Sequence, residues 1–106
     1  MVTAELIRQG KRVAEAAGQA MYAKVGECDA CGFGWVEVYV DRTNSKQAKE
    51  LLAAGFRKDY KPKCLSMWDP AGVPTQSISV KEAGAYAYAN YLSALGLKAY
   101  AGSRLD

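Results

Sequence analysis

Three cysteines are the residues of this chain whose type and spacing come closest to a chemical motif. Cys28 and Cys31 form a Cys-x-x-Cys pair, and Cys64 lies further along the chain. Because the chain has no histidine, a four-ligand zinc site would need an aspartate beside all three thiolates. The pair also precedes a predicted strand, whereas a thioredoxin-type pair follows a strand and opens a helix. We therefore expect no metal and no redox role, and we interpret Cys31 as a small buried thiol.

The absence of histidine also removes the Ser-His-Asp and Cys-His nucleophile systems and the commonest general base. No spacing of carboxylates places a pair for acid–base catalysis. Gly32-Phe33-Gly34 resembles part of a dinucleotide-binding loop, but such a loop follows a strand and precedes a helix. Here the glycines come before a strand, where close backbone packing explains them better. The sequence therefore favours a binding protein without a cofactor over an enzyme.

Basic and aromatic residues are combined in one part of the chain. Residues 42–63 hold seven Lys or Arg against two acidic residues, although the net charge of the whole chain is only +3. Tyr60 lies inside this segment, and Tyr100 and Arg104 lie close together near residue 106. Guanidinium groups and rings together suit a planar anion, such as a base with its phosphates. The alternatives are a solvated basic face and, for the aromatic residues, core filling. The aromatic residues best suited to core filling are Trp35, Tyr88 and Tyr91.

Hydrophobic spacing and capping residues predict three helices that alternate with three strands. The predicted helices span residues 3–25, 46–54 and 80–95. The predicted strands span residues 33–42, 63–69 and 97–101, with 102–106 as a tail. Helix starts are marked by Thr3 and by a capping box at Ser79–Glu82, and helix ends by Gly26, Gly55 and Gly96. The order αβαβαβ predicts a small α/β or α+β domain, with about three strands and with the helices packed mainly on one side.

The same periodicity predicts which residues face the core. In the strand at 33–42, one face carries Val36, Val38 and Val40. The other face carries Trp35, Glu37 and Tyr39, and is either partly wet or covered by a partner. The inward residues of the first helix are predicted to be Leu6, Gly10, Val13, Ala17 and Met21. Those of the helix at 80–95 are predicted to be Val80, Ala83, Ala87, Tyr91 and Leu95, flanked by Tyr88 and Leu92.

Length and composition bound the class of protein. The chain has 106 residues, of which 50% are apolar and 24% charged, and this suits one globular domain over residues 1–106. No apolar run reaches the roughly 18 residues of a membrane span, and the first residues do not resemble a secretory signal. The cysteines are therefore expected to be reduced, as in a cytosol. Because so small a chain offers little depth for a closed pocket, we expect a homo-oligomer.

Several segments, taken in order, carry a resemblance to a known family. They are residues 31–36 (CGFGWV), 44–46 (NSK), 67–70 (MWDP), 80–85 (VKEAGA) and 98–106 (KAYAGSRLD). On these motifs the chain resembles, over nearly its whole length, a family of small proteins encoded by tailed bacteriophages. The resemblance implies a setting in the cytoplasm of an infected bacterial host, where such proteins disable host defence or redirect host machinery. It implies no catalytic residue.

The setting and the residues together lead to a hypothesis of function. We expect a non-enzymatic protein that sequesters an anionic nucleotide-type defence signal, with Arg or Lys on phosphate and Tyr or Trp on the base. The candidate ligand-binding residues are Arg57, Lys58, Tyr60, Trp68, Tyr100, Ser103 and Arg104. One alternative is an inhibitor that binds a host protein through Trp35 and Tyr39. A second is a nucleic-acid-binding protein that uses residues 42–63, which the mild net charge disfavours.

Overall fold

The computed structural model of the chain describes residues 1–27 and 29–106. Within these residues the chain folds into three helices and four strands. In chain order they are α1 (Ala4–Val25), β1 (Gly32–Tyr39), α2 (Lys46–Ala53), β2 (Arg57–Lys58), β3 (Cys64–Trp68), α3 (Ile78–Ala94) and β4 (Lys98–Leu105). The strands form one antiparallel sheet in the order β2-β3-β1-β4, and the helices pack against it. The predicted small α+β architecture is confirmed, and from β1 onward its order is that of a β-α-β-β-α-β sheet.

β1 lies in the middle of the sheet and separates two unlike faces. Val36 and Val38 of β1 and Leu65 of β3 are fully buried in the core that the sheet forms with the helices. Gly34 permits a close approach of α3, because a Cβ at this position would lie 2.7 Å from the carbonyl oxygen of Lys81. This confirms the close packing that the sequence predicts at the start of β1. The opposite face, which carries the alternate residues of β1, has no helix over it in the described part of the chain.

The sheet has four strands rather than about three, for two local reasons. The short strand β2 pairs with β3 as a hairpin. Residues 102–106, predicted as a tail, instead continue the last strand, so that β4 pairs with β1 along its whole length. The Asp106 N–H extends this pairing by donating to the Cys31 carbonyl oxygen at 3.1 Å. The residues near 104 therefore belong to the sheet, where alternation decides which face each side chain reaches.

The predicted inward face of α1 is wrong at Leu6 and Val13, whereas Gly10 is buried and Met21 packs half-buried against a second apolar cluster. The buried residues are Ala4, Ile7, Gly10, Ala14 and Gly18. Leu6 and Val13, which the sequence places inside, are 39% and 41% exposed. The reason is steric, since a Cβ at Gly10 would lie 2.5 Å from the Tyr88 ring, and small residues let α3 approach. The buried Tyr88 hydroxyl then donates to the Ile7 carbonyl oxygen at 2.7 Å.

α3 begins two residues earlier than the sequence predicts, with Ser77 rather than Ser79 as its N-cap. The Ser77 hydroxyl accepts a hydrogen bond from the Val80 N–H at 3.3 Å and donates one to the Asp29 carboxylate at 2.6 Å. Asp29 also accepts the Ser79 N–H at 2.8 Å. These hydrogen bonds, the one from Ser77 first, lower the pKa of Asp29 to about 2. A distant carboxylate thus moves the start of the helix.

The inward face of α3 also differs from the prediction. Its buried residues are Val80, Lys81, Gly84, Ala85, Tyr88, Ala89 and Leu92. Of the five residues predicted to face inward, only Val80 is fully buried, whereas the predicted flanking residues Tyr88 and Leu92 lie in the core. α3 contacts both the sheet and α1. The buried face of α3 therefore lies between the sheet and α1. It differs from the apolar stripe that packing against one neighbouring element would bury.

The ends of α2 agree with the sequence. The Ser45 hydroxyl accepts the Ala48 N–H at 3.2 Å and caps the start of the helix. At the other end Gly55 adopts a φ of +104°, and the Phe56 N–H donates to the Leu51 carbonyl oxygen at 3.0 Å. The Phe56 side chain is fully buried, as expected for the hydrophobic contact of such a cap. Local capping signals were sufficient here because the partners lie within a few residues.

Candidate ligand-binding cleft

Aromatic and charged side chains collect on the face of the sheet that has no helix over it, which we call the helix-free face. Directly opposed residues of an antiparallel pair point to the same face. By this rule the helix-free face carries Phe33, Trp35, Glu37 and Tyr39 of β1, Trp68 of β3, and Tyr100 and Arg104 of β4. Rings and charges from three neighbouring strands therefore share one surface.

Glu37 organises the middle of the helix-free face. It is only 8% exposed, and its carboxylate accepts hydrogen bonds from Trp35 Nε1 at 2.8 Å, the Tyr39 hydroxyl at 3.0 Å and Lys61 Nζ at 2.6 Å. Burial by itself would raise the pKa of Glu37, but the hydrogen bonds, that from Lys61 first, hold it below its ordinary value. The hydrogen bond to Glu37 in turn raises the pKa of Lys61 and raises that of Tyr39 to about 12. One carboxylate thus holds two rings and one ammonium group in place.

Trp35 and Trp68 form a stacked pair beside Glu37. Their ring centroids are 4.6 Å apart at an interplanar angle of 23°, and Phe33 meets Trp68 edge-on at 6.0 Å. Trp35 lies against Gly102 of β4, where a Cβ would be 2.4 Å from Trp35 Cε2. The absence of a side chain at Gly102 therefore makes room for the indole. Trp68 remains 50% exposed, so part of its ring is accessible to a stacking partner.

A cleft of about 240 Å³ opens beside the tryptophan pair. It is lined by Trp35, Glu37, Asp59, Tyr60, Lys61, Trp68 and Arg104. The two acidic and two basic side chains of this lining balance, and Lys61 is already engaged with Glu37. Tyr60 is 91% exposed, and the Arg104 guanidinium lies over the Phe33 ring at 5.2 Å from its centroid. The cleft offers aromatic surface to a planar group, with a cation close by.

The segment between β2 and β3 forms one side of this cleft. The Asp59 N–H donates to the Cys64 carbonyl oxygen at 3.0 Å, which extends the hairpin. The Asp59 carboxylate accepts the Lys61 N–H at 3.1 Å and tightens the turn. Lys61 can then reach across the sheet to Glu37, which lies 24 residues earlier in the chain. The hairpin therefore supplies the ion pair at the base of the site.

The structure brings together some of the predicted ligand-binding residues and separates others. Tyr60, Trp68 and Arg104 line one cleft. Two further residues, Tyr100 of β4 and Arg57 of β2, share the helix-free face but do not line the cleft. Arg57 lies opposite Ser66 of β3. The two remaining residues lie on the other side of the sheet: Ser103 donates to Glu82 of α3 at 2.6 Å, and Lys58 lies opposite the buried Leu65.

Three residues that line the cleft were not expected from the sequence: Glu37, Asp59 and Lys61. The alternation of β1 did place Glu37 between Trp35 and Tyr39 on the exposed side, and a carboxylate between two aromatic residues that donate hydrogen bonds was the available signal. The approach of Lys61 depends on the hairpin turn and left no local signal. Trp35 and Tyr39, the expected contacts for a host protein, are half-buried and both donate to Glu37.

The prediction that Cys31 is a buried thiol is wrong. Cys31 is exposed and not buried, because the isolated bridge with Ser77 leaves it at the margin of the sheet. Cys64 is buried in β3, and burial raises the pKa of its thiol. Cys28 lies outside the described residues, so the Cys-x-x-Cys pair as a whole is not described. Within residues 1–27 and 29–106 no three Cys, Asp or Glu side chains cluster as metal ligands.

A second depression, of about 300 Å³, lies where β1 ends. It is lined by Tyr39, Val40, Asp41, Ser45, Gln47, Gly96, Leu97 and Lys98. It is larger than the cleft beside the tryptophans but more open, and its one aromatic residue, Tyr39, has its hydroxyl bonded to Glu37. We therefore assign the candidate site to the tryptophan cleft, where a ring is available for stacking.

Comparisons with protein-family models, with curated proteins and with solved structures found no match, so the resemblance to tailed-phage proteins stays a prediction. Among the described residues no helix is both long enough and apolar enough to cross a membrane.

Proposed function

We propose that the tryptophan cleft binds the base of a nucleotide-type ligand, and that the protein acts by binding and not by catalysis. The observation that carries the proposal is the half-exposed Trp68 ring, stacked on Trp35 at the wall of a cleft of about 240 Å³. A planar heterocycle stacks on such a ring whatever its hydrogen-bonding pattern, and each stacked base contributes about 1–3 kcal/mol. Tyr60 supplies a second exposed ring on the neighbouring hairpin.

The size of the cleft supports a single base per chain. Small-molecule sites usually enclose roughly 300–1,000 Å³, and this cleft is smaller. The sugar and phosphates would therefore extend over the open sheet. Arg104 lies in the cleft lining there, and Lys98 and Arg57 lie on the flanking strands β4 and β2. These cations supply the neutralisation that a phosphate requires.

The state of Glu37 supports a binding role over an acid–base role. Both of its oxygens already accept hydrogen bonds, and its pKa lies below the ordinary value, so it is ionised and occupied near neutral pH. A general acid or base needs a pKa near the working pH and a substrate proton within reach. Glu37 instead fixes the Trp35 and Tyr39 rings, which makes the site ready for stacking before a ligand arrives.

The resemblance to tailed-phage proteins supports a setting for this activity. In the cytoplasm of an infected bacterium, a chain that captures a nucleotide-type signal without converting it would act as a sponge against host defence. Such capture is stoichiometric and therefore requires tight binding. Tight binding to the folded state alone raises its stability, by about 2.7 kcal/mol when the ligand is at 100 times its Kd.

Tryptophan fluorescence and thermal denaturation test the proposal together, because both tryptophans of the chain line the cleft. The panel contains cyclic oligonucleotides, ADP-ribose isomers and ordinary nucleotides. A ligand is expected to quench the fluorescence and to raise Tm by roughly 10 °C or more at 100 times its Kd. A panel that changes neither signal contradicts the proposal, and pull-down of a host protein then tests the alternative.

Matched variants locate the ligand on the chain. Trp68→Ala is expected to remove most of the affinity, because the stacking surface is lost. Arg104→Ala is expected to weaken binding by roughly 10- to 100-fold, the effect of one charged hydrogen bond. Arg12→Ala, on the exposed side of α1, is the control and should bind normally. Full affinity in Arg104→Ala would remove this end of β4 from the site.

A short single-stranded nucleic acid is the second candidate, and Tyr100 is the observation that favours it. Tyr100 is 58% exposed on the same face and contacts Tyr39 edge-on at 6.0 Å, so a further ring follows the tryptophan pair across the sheet. Four-stranded sheets with rings on adjacent strands stack successive bases in RNA-binding modules. The affinity for a single-stranded nucleic acid would fall steeply as the salt concentration rises, because each phosphate contact releases counterions. The affinity for one nucleotide would depend only weakly on salt.

A further inference from the structure

The outer edge of β4 presents unpaired backbone groups. β4 is the last strand of the sheet and has β1 on one side only within the described residues. In an antiparallel pair, alternate residues exchange hydrogen bonds with the neighbouring strand, and the residues between them point their N–H and C=O groups away. The Asp106 N–H donates to the Cys31 carbonyl oxygen, so the even-numbered residues of β4 direct their backbone N–H and C=O groups toward β1. The residues that direct backbone groups to the open edge are therefore Ala99, Ala101, Ser103 and Leu105.

This edge lacks three of the features that usually prevent strand pairing: short length, proline and a bulge. β4 is eight residues long, contains no proline, and keeps a continuous register with β1 without a bulge. A long regular edge strand is a template for another strand. The Ala99 carbonyl accepts a hydrogen bond from the Ser93 hydroxyl at 3.2 Å, and its second lone pair can still accept one from a new strand.

We propose that two copies of the chain associate through their β4 strands, antiparallel about a two-fold axis, and form one eight-stranded sheet. With Gly102 at the axis, Ala99 pairs with the partner's Leu105 and Ala101 pairs with the partner's Ser103. These residues all point their backbone groups to the open edge, so each pair is of the hydrogen-bonded kind. This register pairs β4 along its whole length.

Charge complementarity selects this register and identifies the occupant as a second copy. On the helix-free face it places Lys98 opposite the partner's Asp106 and Arg104 opposite the partner's Tyr100. Opposite charges directly across two strands favour their pairing, and an arginine beside a tyrosine ring adds a cation–π contact. With Ala101 at the axis instead, Lys98 would lie opposite the partner's Arg104, and like charges there oppose pairing.

α3 carries an exposed aromatic side chain beside this edge. Glu82 of α3 accepts a hydrogen bond from Ser103, and Ser93 donates one to Ala99, so the helix face between them runs along β4. Tyr86 lies on that face, one turn after Glu82, and is 54% exposed. In the dimer both helix layers lie on the same side of the continuous sheet. Tyr86 therefore meets the partner's α3 near the axis, which covers a ring that a single chain leaves in water.

The dimer also unites the two helix-free faces, because Gly102 and the Trp35 indole against it lie beside the axis. The inference rests on the edge of β4 and not on the proposed ligand. It is tested without any nucleotide, so that its failure and the failure of the proposed function are separate results.

Light scattering during gel filtration of the full chain over a concentration series is the first test. The expected mass is twice the 11.4 kDa of one chain. Ala101→Pro removes one outward N–H without touching the ladder to β1, since proline is tolerated on edge strands at positions that face outward. This variant is expected to give half the mass with an unchanged circular dichroism spectrum. A single-chain mass for the unaltered protein at every concentration, or a dimer that survives in a folded Ala101→Pro, overturns the proposal.

A charge exchange tests the register and does not depend on the folding of the proline variant. Lys98→Asp alone and Asp106→Lys alone each place like charges across the axis, and each should shift the equilibrium to the monomer. The double variant restores opposite charges and should recover the dimer. Lys11→Asp, on the exposed side of α1, is the matched control and should leave the mass unchanged. Additive loss in the double variant, without recovery, contradicts the register.

Discussion

The two faces of the sheet are built by opposite means, although the same strands supply both. On the helix-covered face, Val36, Val38 and Leu65 are fully buried in a cluster of apolar side chains. On the helix-free face, directed contacts hold the side chains: three hydrogen bonds to Glu37 and the stacking of Trp35 on Trp68. The first face is ordered by exclusion of water, and the second is ordered while it stays accessible.

This difference separates the part of the molecule that makes the fold from the part available for binding. Burial of apolar surface is not directional, and it stabilises whichever arrangement packs best. A buried carboxylate with several donors fixes particular rings at particular positions. A sheet face that only contacts solvent would not require this hydrogen-bonding arrangement. A pre-organised binding surface needs side chains that are fixed but still accessible, because less conformational entropy is then lost when a ligand binds.

One of the largest effects is expected from two neighbouring residues of β3 that point to opposite faces. Leu65→Ala opens a cavity in the core and should lower the free energy of unfolding by about 2–5 kcal/mol. Ser66→Ala, the next residue and on the helix-free face, removes only a hydroxyl from a buried position and should change it by about 1 kcal/mol or less. Urea denaturation followed by circular dichroism measures both. Similar losses in the two variants would mean that the faces do not differ as described.

The two glycines that permit close approach give the next comparison. A Cβ at Gly34 would meet the backbone of Lys81 at 2.7 Å, whereas a Cβ at Gly102 would meet the Trp35 side chain at 2.4 Å. Since a helix backbone yields less than a side chain, Gly34→Ala should cost about 1–3 kcal/mol. Gly102→Ala should cost less but displace Trp35, and the emission spectrum of the tryptophans should change only in this variant. A larger stability loss in Gly102→Ala would contradict this account.

Local signals were sufficient to predict the three helices, three of the four strands and the division of β1 between two faces. The alternation of Trp35, Glu37 and Tyr39 with valines is a property of consecutive residues, and so is the cap at Gly55. The inward faces of α1 and α3 could not be predicted from local signals. Which stripe of α1 is buried depends on whether the Tyr88 ring fits against Gly10, and a reading based on apolar size selects Leu6 and Val13 instead.

The candidate site was predicted in part for the same reason. Tyr60 was recognised as an aromatic residue inside the basic segment 42–63, and Trp68 was named as a candidate for stacking. Their exposure of 91% and 50% agrees with a surface position. Ser103 was grouped with Arg104 as a neighbour in a tail, but pairing with β1 sends these two side chains to opposite faces. The ion pair of Lys61 with Glu37 depends on the hairpin that brings them together, and no local pattern contains that information.

The pH dependence of stability should sharpen the comparison at the helix-free face. The pKa of Glu37 is lowered in the folded state from its ordinary 4.5. Its contribution is therefore present above about pH 4.5 and is lost as the pH falls through the lowered pKa. Glu37→Gln removes this titration, so the free energy of unfolding should fall less steeply in acid than in the unaltered chain. Urea denaturation between pH 2 and pH 6 measures the two slopes.

An alkaline limb is expected from the same cluster. The pKa values of Lys61 and Tyr39 are both raised, that of Tyr39 to about 12, so the folded state holds protons that the unfolded state releases from about pH 10 upward. Stability should therefore decrease as the pH rises above about 10. The Glu37→Gln variant should lose part of this limb as well, because Glu37 causes both shifts. Unchanged slopes in acid and in alkali would show that Glu37 does not organise the face.

A smaller loss of stability than at a core aromatic residue is expected at Trp68, which is a large aromatic residue but lies on the accessible side. Phe56, fully buried against Tyr88, is its counterpart in the core. Phe56→Ala should cost about 3–5 kcal/mol because it leaves a cavity. Trp68→Ala should cost less, about 1–3 kcal/mol from the stacking with Trp35 and the buried part of the ring, since half of its surface is already in water. A loss at Trp68 as large as that at Phe56 would make Trp68 a core residue, and stacking of a ligand on its exposed ring would then have no basis.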